Sequence, residues 1–170
     1  YMLDRPIYES AGDTILDLEV RQNRSDCLSL LGLAQELSVV LEKPLRFPPM
    51  HTDFGSQAGR LVIDIPDASL CPRFFMLQFD NVHIQPSPNW LITRLESYGV
   101  KPINTVVDIT NYVSIELGMP LHAYDADKVR NKHITIRNAK EGESLTLFGG
   151  KTVTCSTDDI IHADGDGPIG

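Results

Sequence analysis

The period of the apolar residues changes along this chain, and that change sets the class of fold it can adopt. Over residues 14–20, Leu16, Leu18 and Val20 alternate with Asp17 and Glu19, the two-residue period of a half-buried strand. After Asn23-Arg24-Ser25-Asp26 the spacing becomes three and four. Leu30, Leu33, Ala34, Leu37 and Leu41 then form a helical stripe, with Ser25 or Asp26 placed to cap its first amides. Pro44 supplies no amide hydrogen and ends that helix. Residues 44–59, with three prolines and two glycines, read as a linker, so the chain divides into segments 1–43, 44–59 and 60–170.

Beyond the linker the β-type period returns. Residues 60–65 and 74–82 are rich in β-branched and aromatic side chains and read as strands joined by a turn around Asp67. Ser87-Pro88 then opens a helix: serine caps, proline suits the first helical position, and Trp90, Leu91, Leu95 and Tyr98 supply a buried stripe closed by Gly99. A further helix is expected over 108–117, with Gly118 just past its end, where a left-handed backbone is easily accepted. Residues 133–137 and 159–163 read as strands. Residues 143–147 and 151–155 flank Phe148-Gly149-Gly150, whose glycines suit a tight hairpin. The fold class is therefore α+β, with a mixed β-sheet and flanking helices.

Composition narrows the function. With 15 Lys and Arg against 23 Asp and Glu, the net charge is −8, and no basic run stands out, which argues against general duplex binding through released counterions. Three cysteines, Cys27, Cys71 and Cys155, lie too far apart for a metal knuckle or a disulfide framework and fit a reducing cytoplasm. The N-terminal residues lack the pattern of a signal peptide, and no apolar run approaches the roughly 20 residues of a membrane helix. No membrane partner is expected. Without an initiator Met and ending at Gly167-Pro168-Ile169-Gly170, the chain reads as an excised fragment.

The densest concentration of polar groups among apolar positions lies between Lys101 and Asp125. Thr110 and Asn111 can each donate and accept hydrogen bonds, and His122 carries an imidazole ring with two nitrogens that can donate or accept. Such groups can line a pocket for an uncharged polar ligand. They serve equally well as structure: Asp108 as a helix cap, Asn111 as a loop anchor and His122 as a satisfied histidine. Asp164-Gly165-Asp166-Gly167 has part of a calcium-loop pattern but lacks its further oxygen ligands and closing Glu, so it reads as a turn. Cys71 has no histidine beside it and reads as a small buried apolar group, and Trp90, Phe74 and Phe75 read as core. No phosphate loop, dinucleotide fingerprint or serine elbow occurs.

The run Lys101-Pro-Ile-Asn-Thr-Val-Val-Asp-Ile-Thr-Asn-Tyr-Val113, continued by Glu116-Leu-Gly-Met-Pro-Leu-His-Ala-Tyr-Asp125, closely resembles the signature of the bacterial-type phenylalanyl-tRNA synthetase beta subunit. Asn23-Arg-Ser-Asp-Cys-Leu-Ser29, Cys71-Pro-Arg-Phe74, Ser87-Pro-Asn-Trp-Leu91, Ala139-Lys-Glu-Gly-Glu143 and Ala163-Asp-Gly-Asp-Gly-Pro168 match in the same order. The resemblance spans residues 14–170. It implies the end of an N-terminal domain over 1–43 and the first part of a tRNA-editing domain over 60–170.

It further implies a heterotetramer of two alpha and two beta subunits that charges tRNA with phenylalanine. ATP and magnesium belong to the parent enzyme, whose synthetic site lies on the alpha subunit, and no cofactor is expected in this chain. The beta editing domain of that family hydrolyses tyrosyl-tRNA made in error. Matched to its pocket, Thr110 and Asn111 after the signature strand, and Pro120, His122 and Ala123 in the following loop, surround the amino-acid end of the tRNA 3′ terminus. His122 is expected to position water rather than to act as a committed base. Lys101 is a further candidate; it stands where Arg is common, keeping the charge but not the planar fork. Thr105, Met119 and Tyr124 also depart from the family's commoner Asn, Gln and Phe. The family's acidic residue that reads the tyrosine hydroxyl is expected downstream of Gly170.

Overall fold

A computed structural model describes residues 2–47, 49–51, 53, 59–147 and 149–170. In chain order the elements are β1 (Met2–Leu3), β2 (Tyr8–Ser10), β3 (Asp13–Ile15), β4 (Leu18–Glu19), α1 (Leu30–Val40), β5 (Val62–Asp64), α2 (Asn89–Ser97), α3 (Thr105–Leu117), β6 (His133–Asn138), β7 (Ser144–Thr146), β8 (Thr152–Thr154) and β9 (Ile160–Ala163). They fall into two compact units that interleave along the chain. One holds residues 1–53 and 82–123, the other 54–81 and 124–170. This grouping cuts across the serial segments 1–43, 44–59 and 60–170, and much of the expected linker lies outside the described residues.

In the first unit, the single strand expected over 14–20 is two. β3 pairs with β2 and β4 pairs with β1, both antiparallel. The break falls where Asp17 turns to the N-terminal segment: its carbonyl accepts from the Asp4 amide at 2.8 Å and its carboxylate pairs with Arg5 at 3.1 Å. The cap of α1 is Ser29, whose Oγ accepts from the Gly32 amide at 3.0 Å. Ser25 and Asp26, the expected caps, are taken up in a short 3-10 turn, Ser25–Leu28, where Arg24 bridges Asp26 at 2.8 Å and Glu36 at 2.7 Å. The helix stops at Val40, ahead of Pro44, because the backbone reverses through Glu42 at φ 52° and the Lys43 amide bonds the Ser38 carbonyl.

Leu91 and Leu95 of α2 are buried at 1% and 0% exposure, burial worth about 1.5–3 kcal/mol for each side chain. Trp90 and Tyr98 are not part of that core. Trp90 is 58% exposed and meets the ring of Tyr112 edge-on at 5.5 Å. Pro88 takes the cap position of α2, and the Ser87 hydroxyl is turned elsewhere. Residues 101–104 form no strand, and α3 begins at Thr105, three residues before the expected start. Asn104 explains this: its Oδ1 accepts from the amides of Val106 and Val107, both at 3.1 Å. At the other end Gly118 adopts φ 75°, as the sequence requires of a glycine closing a helix.

The second unit is built on a mixed three-stranded sheet in the order β5-β6-β9, with β5 parallel and β9 antiparallel to β6. Val129, Ile134 and Ile136 form its core, with Leu61, Ile63, Phe74 and Met76 packed against them. No strand is assigned over 74–82. Phe74 and Met76 turn inward while Phe75 is 89% exposed, so only the first of these two phenylalanines joins the core. β7 and β8 form the expected hairpin, with Gly149 and Gly150 at φ 96° and 86° and Phe148 outside the described residues. Arg137 of β6 holds Glu143 through two 2.8 Å hydrogen bonds, fixing the start of that hairpin to the sheet. The protein is thus α+β with one mixed sheet.

Candidate functional site

The candidate residues lie within the first unit, Lys101 ahead of α3 and the others on α3 and the loop after it. Three groups fix how α3 lies. Asn104 caps it, and the Thr105 hydroxyl donates to the Gln85 carbonyl at 2.6 Å. Asp108, expected as a cap, is instead buried at 1% exposure in the first turn. One of its carboxylate oxygens accepts from the Ser87 hydroxyl at 2.5 Å and the other from the Ile103 amide at 2.8 Å. These two donors answer the cost of burying a carboxylate.

Thr110 and Asn111 follow in the helix, both half-buried. The Thr110 hydroxyl donates to the Val107 carbonyl at 2.7 Å, so its proton is committed to its own helix and its lone pairs are what it can offer a ligand. Pro120, His122 and Ala123 lie exposed in the loop beyond Gly118. From Asn111 to the end of α3 is roughly 9 Å along the helix axis, at about 1.5 Å per residue. The two sets are therefore held by one element but stand at different levels of it. Lys101 is exposed and lines a shallow depression of about 280 Å³ with Glu96, Gly99, Val100 and Pro102.

Tyr124, which opens the second stretch of the other unit, is fixed by burial and one strong contact. Its hydroxyl lies 2.5 Å from His162 Nδ1, and burial pushes the phenol above its ordinary pKa. Phe74 meets the His162 ring edge-on at 5.3 Å. In the Asp164–Asp166 turn, Asp164 accepts from the amides of Asp166 and Arg130, and Asp166 pairs with the Arg130 side chain at 2.6 Å. Among the described residues no three His, Cys, Asp or Glu gather as metal ligands. The Cys71 thiol points to the Arg73 carbonyl at 3.3 Å.

Sequence reasoning did not find the Ser87–Asp108 pair or the Tyr124–His162 pair. Their members are 21 and 38 residues apart, and no local pattern joins them. Ser87 carried a different signal, the serine-proline start of a helix, which assigned its hydroxyl to a cap rather than to Asp108.

This fold and these motifs define a class of domain. The B3/4 domain family matches residues 70–170, and the chain belongs to that family. Along nearly its whole length it is similar to beta subunits of phenylalanine–tRNA ligase, in agreement with the resemblance carried by the Lys101–Asp125 motif. It is 42% identical over 158 residues to the beta subunit of Nitratidesulfovibrio vulgaris, covering 92% of this chain and 20% of the relative. The beta subunit of Geobacter sulfurreducens is 38% identical over 164 residues, 94% of this chain and 20% of the relative. That of Haemophilus influenzae is 35% identical over 174 residues, 98% of this chain and 22% of the relative. The chain spans about one fifth of the length of these curated relatives.

Proposed function

We propose that this chain serves in the beta subunit of a phenylalanine–tRNA ligase, where it contributes to the hydrolysis of tyrosyl-tRNA formed in error. The observation that carries the reading is the match to such beta subunits over more than nine tenths of the chain, which takes in α3 and the loop bearing His122. In this reading its partners are an alpha subunit, in an assembly of two alpha and two beta subunits, and the 3′ end of an aminoacylated tRNA. ATP and magnesium act on the alpha subunit, and the assembly works in the cytoplasm.

The reaction breaks the ester between the tyrosine carboxyl and a ribose oxygen of the tRNA. Water adds to the ester carbonyl, the resulting oxyanion collapses, and the ribose oxygen leaves carrying a proton. The ester is already activated, so positioning a water and supporting the oxyanion are the main requirements. His122 offers ring nitrogens to hold that water, and Thr110 and Asn111 offer oxygens and an amide to the substrate. Selectivity follows from the tyrosine hydroxyl. A pocket that bonds it leaves its own groups unpaired when phenylalanine enters, at about 1–3 kcal/mol per group.

The exposure of Pro120, His122 and Ala123 favours one alternative, a module that positions tRNA or a subunit without hydrolysis. His122→Ala in the assembled ligase separates the two. Editing predicts slower deacylation of pre-formed tyrosyl-tRNA by roughly 10- to 100-fold, the scale of rate lost when a positioned group is displaced by about 1 Å, with phenylalanine charging close to that of the parent. Equal deacylation by mutant and parent supports the positioning module.

A further inference from the structure

α3 is held against rotation along a single stripe. Asp108 and Tyr112, one turn apart, both face the α2 side: Asp108 through the Ser87 hydroxyl just ahead of α2, and Tyr112 through the ring of Trp90. At about 100° per residue, Thr110 and Asn111 lie roughly 200° and 300° around the helix from Asp108. Slippage by one residue would swing each of them by about 100°. Packing of Leu91 and Leu95 resists such slippage weakly, because apolar contact has no preferred direction, and the Thr105 hydroxyl on the Gln85 carbonyl directs the helix only at its first residue. The Asp108 carboxylate does have direction. It is 1% exposed and takes one hydrogen bond from each of two separate segments, Ser87 Oγ at 2.5 Å and the Ile103 amide at 2.8 Å. Burying a polar side chain in so dry a place is costly unless it is hydrogen-bonded, and what these two bonds supply in return is an angular setting for the helix.

We infer that Asp108 and Ser87 act as positioning residues for the α3 site, setting the direction in which Thr110 and Asn111 meet the aminoacyl end of the substrate. The inference rests on the editing reading, and its test is arranged so that the two can fail separately. Neither side chain touches substrate; each acts through the helix.

The assembled ligase is compared with its Ser87→Ala, Ser87→Thr and Asp108→Asn variants. Steady-state deacylation of tyrosyl-tRNA is measured together with hydrogen exchange at the Ile103 amide and along α3. A displacement of about 1 Å in a positioned group costs about 10²-fold in rate. Ser87→Ala is accordingly expected to lower deacylation kcat/KM by 10- to 100-fold at unchanged phenylalanine charging, with faster exchange at Ile103. Ser87→Thr keeps the hydroxyl and restores both. In Asp108→Asn the amide can turn its nitrogen to the Ser87 oxygen, so a milder loss is expected, and combining it with Ser87→Ala should add little because the two act as a unit. Parent-like deacylation in Ser87→Ala, or a Ser87→Thr variant no better than alanine, overturns the inference while leaving the editing reading intact. A parent enzyme that leaves tyrosyl-tRNA untouched defeats the editing reading. In that event unchanged exchange at Ile103 in Ser87→Ala also overturns the angular setting, and faster exchange reversed by threonine upholds it.

Discussion

Glu143 shows how much one side chain can hold when its partners converge. It accepts from both arms of the Arg137 guanidinium at 2.8 Å and from the Lys140 amide at 2.6 Å. The hydrogen bonds from Arg137, then the Lys140 amide, lower its pKa from the ordinary 4.5 to about 2. A carboxyl depressed on folding stabilises the native state above its unfolded value, and that stability is lost as pH falls toward the folded value. The urea midpoint should therefore drop between about pH 4.5 and pH 2, and Glu143→Gln should flatten that part of the curve. Asp26, held by Arg24 and lowered to about 2, gives the parent a slope of the same sign. The difference between parent and Glu143→Gln isolates the Glu143 share. Superimposable pH curves would show that the Arg137 pair does not act on stability.

At the scale of the element, α3 depends on its first residue outside. Asn104 satisfies two of the amides that a helix start leaves without partners. Asn104→Ala should cost about 1 kcal/mol, within a range of about 0.5–2 kcal/mol for lost caps, and should be read as a fall in thermal midpoint with fraying of the first turn of α3. Serine at the same position should recover most of it. An alanine variant as stable as the parent would move the start of α3 away from Asn104.

What could be read in advance at this scale depended on whether the cause was local. Helix α1, the glycine closing α3, the Gly149-Gly150 hairpin and strand β9 follow from residues adjacent in sequence, and they occur where expected, although Leu30, Leu37 and Leu41 of the α1 stripe are exposed and Leu41 lies just past the helix. The start of α3 did not, because Thr105-Val106-Val107 is a β-branched run that locally disfavours helix, and the Asn104 cap and packing on α2 prevail. Residues 74–82 carry strand chemistry, yet a strand needs a ladder partner, and none is assigned there. For the site, the motif named Thr110, Asn111 and His122 at once. That the Thr110 proton is spent on Val107, that His122 is exposed, and that Asp108 is pinned by Ser87 are products of three-dimensional packing that spacing does not encode.

At the scale of the whole molecule, α3 and its loop belong to one unit, the mixed sheet and hairpin to the other. Because the proposed synthetic chemistry resides on the alpha subunit, the 170-residue chain alone should form no phenylalanyl-tRNA when supplied with ATP, phenylalanine and tRNA. Product formed by the purified chain would place an ATP site here and contradict that proposal. The central claim is that the α3 site serves hydrolysis of the wrong aminoacyl ester. Its most direct test is to give the assembled ligase pre-formed tyrosyl-tRNA and phenylalanyl-tRNA side by side and follow release of each amino acid. Faster release of tyrosine, with the selectivity diminished in His122→Ala, is the predicted result; equal rates for the two esters in the parent enzyme would contradict it.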